Sequence, residues 1–395
     1  MFLGGFLFVL GMRAAKWVNN RNYSFVVSSF INTKIHAKHI NKTGFVATGM
    51  IYNMLFNNAV PTGSQLQTII SERGFSTLLA AYSNSTFHFS QKFTLNAGIN
   101  AQIFTLNKHY TLEPRLGIRY KLGASQSLSL AYGLHSRLER LNYYFIKNRR
   151  FGSGFINNNL DFTKSHHLVI GYDISFSEFT HLKAEMYYQH LFNVPVFADS
   201  SFSIINQQND WFFNEKLQNS GSGKNYGTDI TFEKYLSRGF YYMFTTSVFS
   251  SKYRGGDHIL RDTRYNRNFA INLLLGKEWQ SGNHKQKIFS LNARFCYQGG
   301  EHYTPVDIKE SNDAQLAVFD GKRAYSGQFS PAFTCHFTAT YKINKRASVH
   351  EIAIKIINAT NYKEFSAFLY NHQTYKVDEV RDALMLPNLS YKIEF

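Results

Sequence analysis

The residues that could do chemistry in this 395-residue chain do not fall into a reacting constellation. There is no Gly-x-Ser-x-Gly elbow, no His-Glu-x-x-His pair and no glycine-rich phosphate loop ahead of a helix, so the spacings for acyl transfer, zinc hydrolysis and nucleotide chemistry are missing. His166 and His167 are adjacent, which on a strand sends their rings to opposite faces and makes them a poor metal pair. His36 with His39, and His181 with His190, have no supporting ligand set. Cys296 and Cys335 lie in no metal spacing and are expected on opposite faces of their strands, which argues against a bridge between them. The expectation is a non-enzyme with no cofactor and no metal.

Binding chemistry is better represented. Glu113, Arg115 and Arg119, and then Asp173, Lys183, Glu185, Asp229, Glu233, Arg294 and Lys355, each stand opposite apolar neighbours in alternating segments. Such residues suit a wet, salt-bridged wall, or direct contact with something inside it, and their mixed signs argue against a pore selective for one ion sign. Trp211, Phe212 and Phe213 form an aromatic run in a polar stretch with Asp210 and Glu215, where they would pack against other loops or stack on a ligand. Tyr303 and Tyr375, with Asp307, Asp320, Tyr325 and Tyr370, are fainter members of the same group.

These residues need strands to position them. Hydrophobic residues make up 44% of the chain and aromatics 16%, while only 17% are charged, against roughly 25% in soluble domains. The charge balance, 43 basic against 26 acidic, gives +17, but the basic residues are too scattered for a nucleic-acid surface. Apolar residues recur with a period of two. Leu112, Leu116, Ile118, Tyr120 and Leu122 oppose Glu113, Arg115, Arg119 and Lys121, and Phe289, Leu291, Ala293, Phe295 and Tyr297 oppose Ser290, Asn292, Arg294 and Gln298. About sixteen such segments of roughly ten residues predict an all-β antiparallel transmembrane barrel, since closure removes unpaired edges. From residue 88 onward nearly every second connection is long, the exception being a short link at 106–109, as in barrels with short turns at one end and loops at the other. Aromatic groups at Tyr143–Phe145, Tyr187–Tyr188 with Phe192, and Tyr241–Tyr242 with Phe244 are read as interface aromatics. The apolar opening from Phe2 to Met12 is short for a spanning helix and is not read as a signal peptide.

Several segments in order resemble the barrel of Bacteroidetes-type TonB-dependent outer-membrane receptors: Tyr110 to Leu122, Ser127 to Arg137, Ser165 to Asp173, Leu191 to Val196, Lys224 to Gly227, Gly299-Gly300-Glu301-His302-Tyr303-Thr304-Pro305, and Pro387 to Phe395. The resemblance runs through essentially the whole chain after about residue 20. It implies that residues 1–395 are the C-terminal portion of a 22-stranded barrel, without the N-terminal plug domain. The chain would then be part of a longer receptor, the product of a truncated gene, or one half of a split receptor. The implied role is energised nutrient uptake at the outer membrane. Glu113, Arg115, Arg119, Asp173, Glu185 and Arg294 would line the lumen, while Trp211, Phe212, Phe213, Tyr303 and Tyr375 would meet a siderophore, glycan or peptide. Phe395 would be the terminal residue read by the barrel-assembly machinery. Outer-membrane lipid, that machinery, and the TonB complex acting through the missing plug are the implied partners, with room for a surface lipoprotein and none for nucleic acid. A passive, porin-like barrel without energy coupling is the alternative.

Overall fold

The computed structural model describes residues 16–58, 66–147, 154–207, 215–282 and 286–395. The opening Phe2 to Met12 and the run Trp211, Phe212 and Phe213 lie outside the described residues. The first strands are β1 (Lys16–His36), β2 (His39–Asn58), β3 (Gln67–His88), β4 (Phe93–Phe104), β5 (Tyr110–Lys121) and β6 (Gln126–Arg137). After helix α1 (Leu141–Tyr144) come β7 (Thr163–Ser177), β8 (Thr180–Phe197), β9 (Leu217–Ser237), β10 (Phe240–Arg254), β11 (Leu260–Asp262), β12 (Phe269–Ser281) and β13 (Lys287–Gln298). The rest comprises β14 (His302–Tyr303), helix α2 (Ile308–Ala314), β15 (Gly327–Gln328), β16 (Ala332–Asn344), β17 (Val349–Ile357), β18 (Glu364–Asn371), β19 (Lys376–Asp382) and β20 (Leu386–Glu394).

One 16-stranded sheet organises the molecule. β1 to β10 pair in chain order and continue through β12, β13, β16, β17 and β20, with β11 added to β10; β14 pairs with β15, and β18 with β19, as separate two-stranded sheets. Every pairing is antiparallel along this path, so connections alternate between its two ends. Turns 37–38, 89–92, 122–125, 178–179, 238–239, 282–286 and 345–348 share one end. Loops 138–162, 198–216, 255–268, 299–331 and 358–385 share the other, together with the short link 105–109. That link therefore does not break the alternation.

Register separates two faces, because successive side chains on a strand point opposite ways. On one face Asn100 pairs with Glu113, Gly98 with Arg115, Ser127 with Asp173, Asp173 with Lys183, Glu185 with Asp229, and Arg294 with His336. The other face pairs Leu116 with Tyr132, Ile118 with Leu130, Ile170 with Met186, and Leu291 with Ala339. Leu116, Leu130, Tyr132, Ile170, Met186 and Leu291 are all exposed. A sheet that exposes its apolar face is built for an apolar surrounding.

Aromatic rows bound that face. Trp279 pairs with Phe289, Phe289 with Tyr341, Tyr341 with Ile352, and Ile352 with Tyr391, near the short-turn end. Tyr297 pairs with Phe333 toward the loops. Tyr143, Tyr144 and Phe145, expected among the interface aromatics, are 2%, 0% and 3% exposed. They sit in and just after α1, within an apolar cluster with Tyr52, Met54, Phe56, Ile70, Phe104 and Phe162. Met54 and Phe56 lie on the polar-face side of β2, as register pairs them with Glu72 and Ile70. Residues 138–147 and 154–162 thus fold over the polar face at the loop end, where burial without water favours aromatics.

Candidate functional site

The loop end carries a cavity of about 770 Å³, bounded by segments of four loops. Tyr303 stacks on Phe329 with centroids 4.4 Å apart, and Phe329 stacks on Phe365 at 4.5 Å. Phe368 closes the group at 4.8 Å from Phe365 and 5.5 Å from Tyr303. Phe365 and Phe368 come from the β18–β19 hairpin, whose register shift between Phe365 and Ala367 aims both rings at the cavity rather than at opposite faces.

A charged cluster forms the adjoining wall. Arg264 Nε lies 3.0 Å from Glu301 Oε2 and Arg267 Nη2 lies 2.5 Å from Oε1, so one carboxylate holds two guanidinium groups and leaves a local positive excess. His302 Nδ1–H donates to the Tyr325 carbonyl oxygen at 3.0 Å, and its Nε2 is buried without a hydrogen-bond partner. Tyr253 donates to the Ser201 carbonyl at 2.9 Å and meets Tyr325 edge to face. Burial pushes the Tyr325 phenol above its ordinary pKa, so it is neutral and able to donate. The backbone is drawn tightly together here: a Cβ on Gly299 would lie 1.8 Å from the Arg267 carbonyl oxygen, and one on Gly300 1.9 Å from that of Phe329.

A neighbouring cavity of about 730 Å³ is reached past Gln207, which lines both, and is walled by Tyr143, Ile204, Tyr265, His135 and His167. The His135 and His167 rings meet on the polar face, tilted with centroids 4.7 Å apart, and also line a smaller recess with Arg115 further down the sheet. Beside them Glu113, 1% exposed, accepts hydrogen bonds from Asn100 at 3.0 Å, Gln102 at 2.6 Å, Arg115 at 2.9 Å and Ser136. The loop end therefore has an aromatic, cation-edged chamber above a polar wall. It can stack on a ring and pair with an anion.

Of the residues singled out from sequence, Tyr303 lines the chamber. Tyr375 does not: it is 65% exposed in the turn between β18 and β19. Trp211, Phe212 and Phe213 lie outside the described residues. Glu113, Arg115, Arg119, Asp173, Glu185 and Arg294 share the polar face, but they are spread over four strands rather than gathered at one point. Asp307 and Asp320 are helix caps, accepting the Glu310 and Lys322 amides at 3.0 Å each. His181 stands between Asp173 at 3.0 Å and Glu233 at 3.4 Å. Cys296 and Cys335 are free thiols. Phe365, Phe368, Phe329, Arg264 and His302 were missed from sequence. Phe365 and Phe368 had a faint signal, being two phenylalanines three positions apart in the terminal loop.

Residues 9–359 match the family described as TonB dependent receptor-like, beta-barrel. No curated protein sequence matches the chain. Among solved structures, the ferric yersiniabactin uptake receptor of Yersinia pestis is similar with a TM-score of 0.64 at 12% identity, covering 97% of this chain and 56% of its own. The ferric-catecholate import receptor of E. coli K12 gives 0.63 at 14%, covering 96% and 55%. The ferric preacinetobactin receptor of Acinetobacter baumannii gives 0.63 at 12%, covering 95% and 55%. The chain thus spans about half the length of these receptors.

Proposed function

Because the chain belongs to the TonB dependent receptor-like β-barrel family, we propose that it forms barrel wall and ligand-capturing loops of an outer-membrane receptor for TonB-dependent nutrient uptake. The apolar face would meet lipid, and the polar face with Glu113, Arg115, Arg119, Asp173, Glu185 and Arg294 would line the lumen. The observation that carries the reading is the chamber of Tyr303, Phe329, Phe365 and Phe368 beside Arg264 and Glu301, because it stands at the loop end of a sheet that exposes its apolar side.

The ligand we infer presents a ring face that can stack and an anionic group, and is a siderophore, a glycan or a peptide. The ferric-complex receptors among the similar structures make ferric chelates the first compounds to test. The motif order supports the Bacteroidetes type. A plug region would couple the barrel to the TonB complex, Phe395 would serve the barrel-assembly machinery, and a surface lipoprotein would have the loop end to cover.

The test is uptake of a panel of radiolabelled ferric chelates by cells carrying the receptor, with TonB intact or deleted. Uptake that needs both the receptor and TonB supports the reading. Uptake that persists without TonB favours the passive, porin-like alternative, and protein released from cells without detergent would sink both.

A further inference from the structure

The exposed apolar face carries a groove of about 380 Å³ between β10 and β17. Ala293 and Ala339 form its floor, and the rings and branches of Phe240, Leu275, Leu291, Phe337, Ile354 and Ile356 its sides. Register explains the hollow. Ala293 stands between Leu275 and Phe337, and Ala339 between Leu291 and Ile354, so two short side chains on neighbouring strands are ringed by long ones.

The groove has a polar end. Lys277, which pairs with Phe240 and Leu291, lines it one position above the row of Trp279, Phe289 and Tyr341. Its ammonium donates to the Arg238 carbonyl oxygen at 3.1 Å and keeps two further protons free to donate. Arg238 in turn 238–239, Lys287 at the start of β13, and Lys345 and Arg346 in turn 345–348 surround the same end. Among the described residues, no Asp or Glu lies on the apolar face of β10, β12, β13, β16 or β17, or in the turns joining them.

We propose that this groove is a binding site for one anionic phospholipid of the leaflet at the short-turn end, with an acyl chain over Ala293 and Ala339 and the phosphate on Lys277 and Arg238. An apolar slot fits a chain, and a cation set at the level of an aromatic row fits a headgroup. The charge decides between lipids: a zwitterionic headgroup brings its own ammonium to an already cationic rim, whereas a net negative one does not. The proposal rests on the membrane-barrel reading but not on uptake or on any loop ligand.

Native mass spectrometry of the detergent-purified protein tests it, with phosphatidylglycerol or phosphatidylcholine titrated in. One phosphatidylglycerol should be retained in preference to phosphatidylcholine. Lys277→Gln should lower phosphatidylglycerol affinity about five-fold, the effect of one cation near a headgroup, and leave phosphatidylcholine unchanged. Filling the floor with Ala293→Leu and Ala339→Leu should reduce retention of both lipids. Equal retention of the two lipids by the native protein, or undiminished phosphatidylglycerol binding by Lys277→Gln, would overturn the site. Lys277 is at the surface, so that variant decides the matter even if the double leucine variant fails to assemble. A protein soluble without detergent would instead overturn the membrane reading itself.

Discussion

Arg115 Nη2 lies 2.9 Å from Glu113 Oε2, although the carboxylate side chain is 1% exposed and the guanidinium 43%. The two residues are two positions apart on one strand and so share a face, with the acid beneath and the base reaching over it. Asn100 and Gln102 from β4 and Ser136 from β6 complete the shell of donors around the carboxylate. Replacing Glu113 by Ala leaves those donors and Arg115 facing an empty site, and should destabilise the wall by about 3 kcal/mol. Urea unfolding of the protein refolded into lipid vesicles measures this, and an unchanged midpoint would contradict the account.

Arg261 holds Asp257 through two bonds, Nη1 to Oδ1 at 2.9 Å and Nη2 to Oδ2 at 2.7 Å, in loop 255–268. The hydrogen bonds from Arg261 hold the Asp257 carboxyl below its ordinary pKa of 3.8. A carboxyl depressed on folding contributes stability that is fully present above the unfolded value and lost as the pH falls through the folded one. Hydrogen exchange of the loop amides should therefore be steady, after correction for intrinsic rates, from neutral pH to about 4, and its protection should fall below that. Arg261→Gln removes the main cause of the depression, so the loop should be less protected at neutral pH and should lose less protection as the pH falls.

The β18–β19 hairpin is held over the chamber by the contacts of Phe365 and Phe368 with Phe329 and Tyr303. Each such ring pair is worth about 1 kcal/mol beyond its burial. Phe329→Ala removes the central ring, so limited proteolysis between β18 and β19 should speed up by about ten-fold or more while the strands stay protected. Cleavage at the native rate would mean that something other than the aromatic stack docks the hairpin.

Gly299 and Gly300 let three chain segments meet with no room for a methyl group. Gly300→Ala has to push the Phe329 backbone away, at a cost on the order of 2–3 kcal/mol, and should disorder the chamber while the sheet survives. Thermal melting followed by Trp fluorescence and by loop proteolysis would separate the two events. A single shared midpoint would show that the loops and the wall melt as one unit.

The period of two told the strands and their faces because each position reports its own side; Leu116 and Arg115 needed no partner to be assigned. The row from Trp279 to Tyr391 could not be read that way, since it exists only when five strands are aligned. Tyr143 to Phe145 misled for a related reason: aromatics just past a strand look the same whether they meet lipid or fold under a loop. Tyr303, Phe329 and Phe365 meet only through tertiary contacts, so spacing held no clue to the chamber. The cap of α2 was legible, as Asp307 followed three residues later by Glu310 is a helix-start pattern, and reading it would have withdrawn Asp307 from the ligand residues.

The two aromatic rows fix the thickness of surroundings the wall accepts. Phe289 and Tyr297 are eight residues apart on β13, as are Tyr341 and Phe333 on β16. Eight residues extend about 26 Å along a strand, and a tilt of about 40° reduces that to a height of about 20 Å. Hydrophobic mismatch follows directly: long-chain bilayers would have to thin around this wall while short-chain ones would not. Insertion should accordingly be most efficient in thin vesicles, so acyl length alone would sort this chain among membranes.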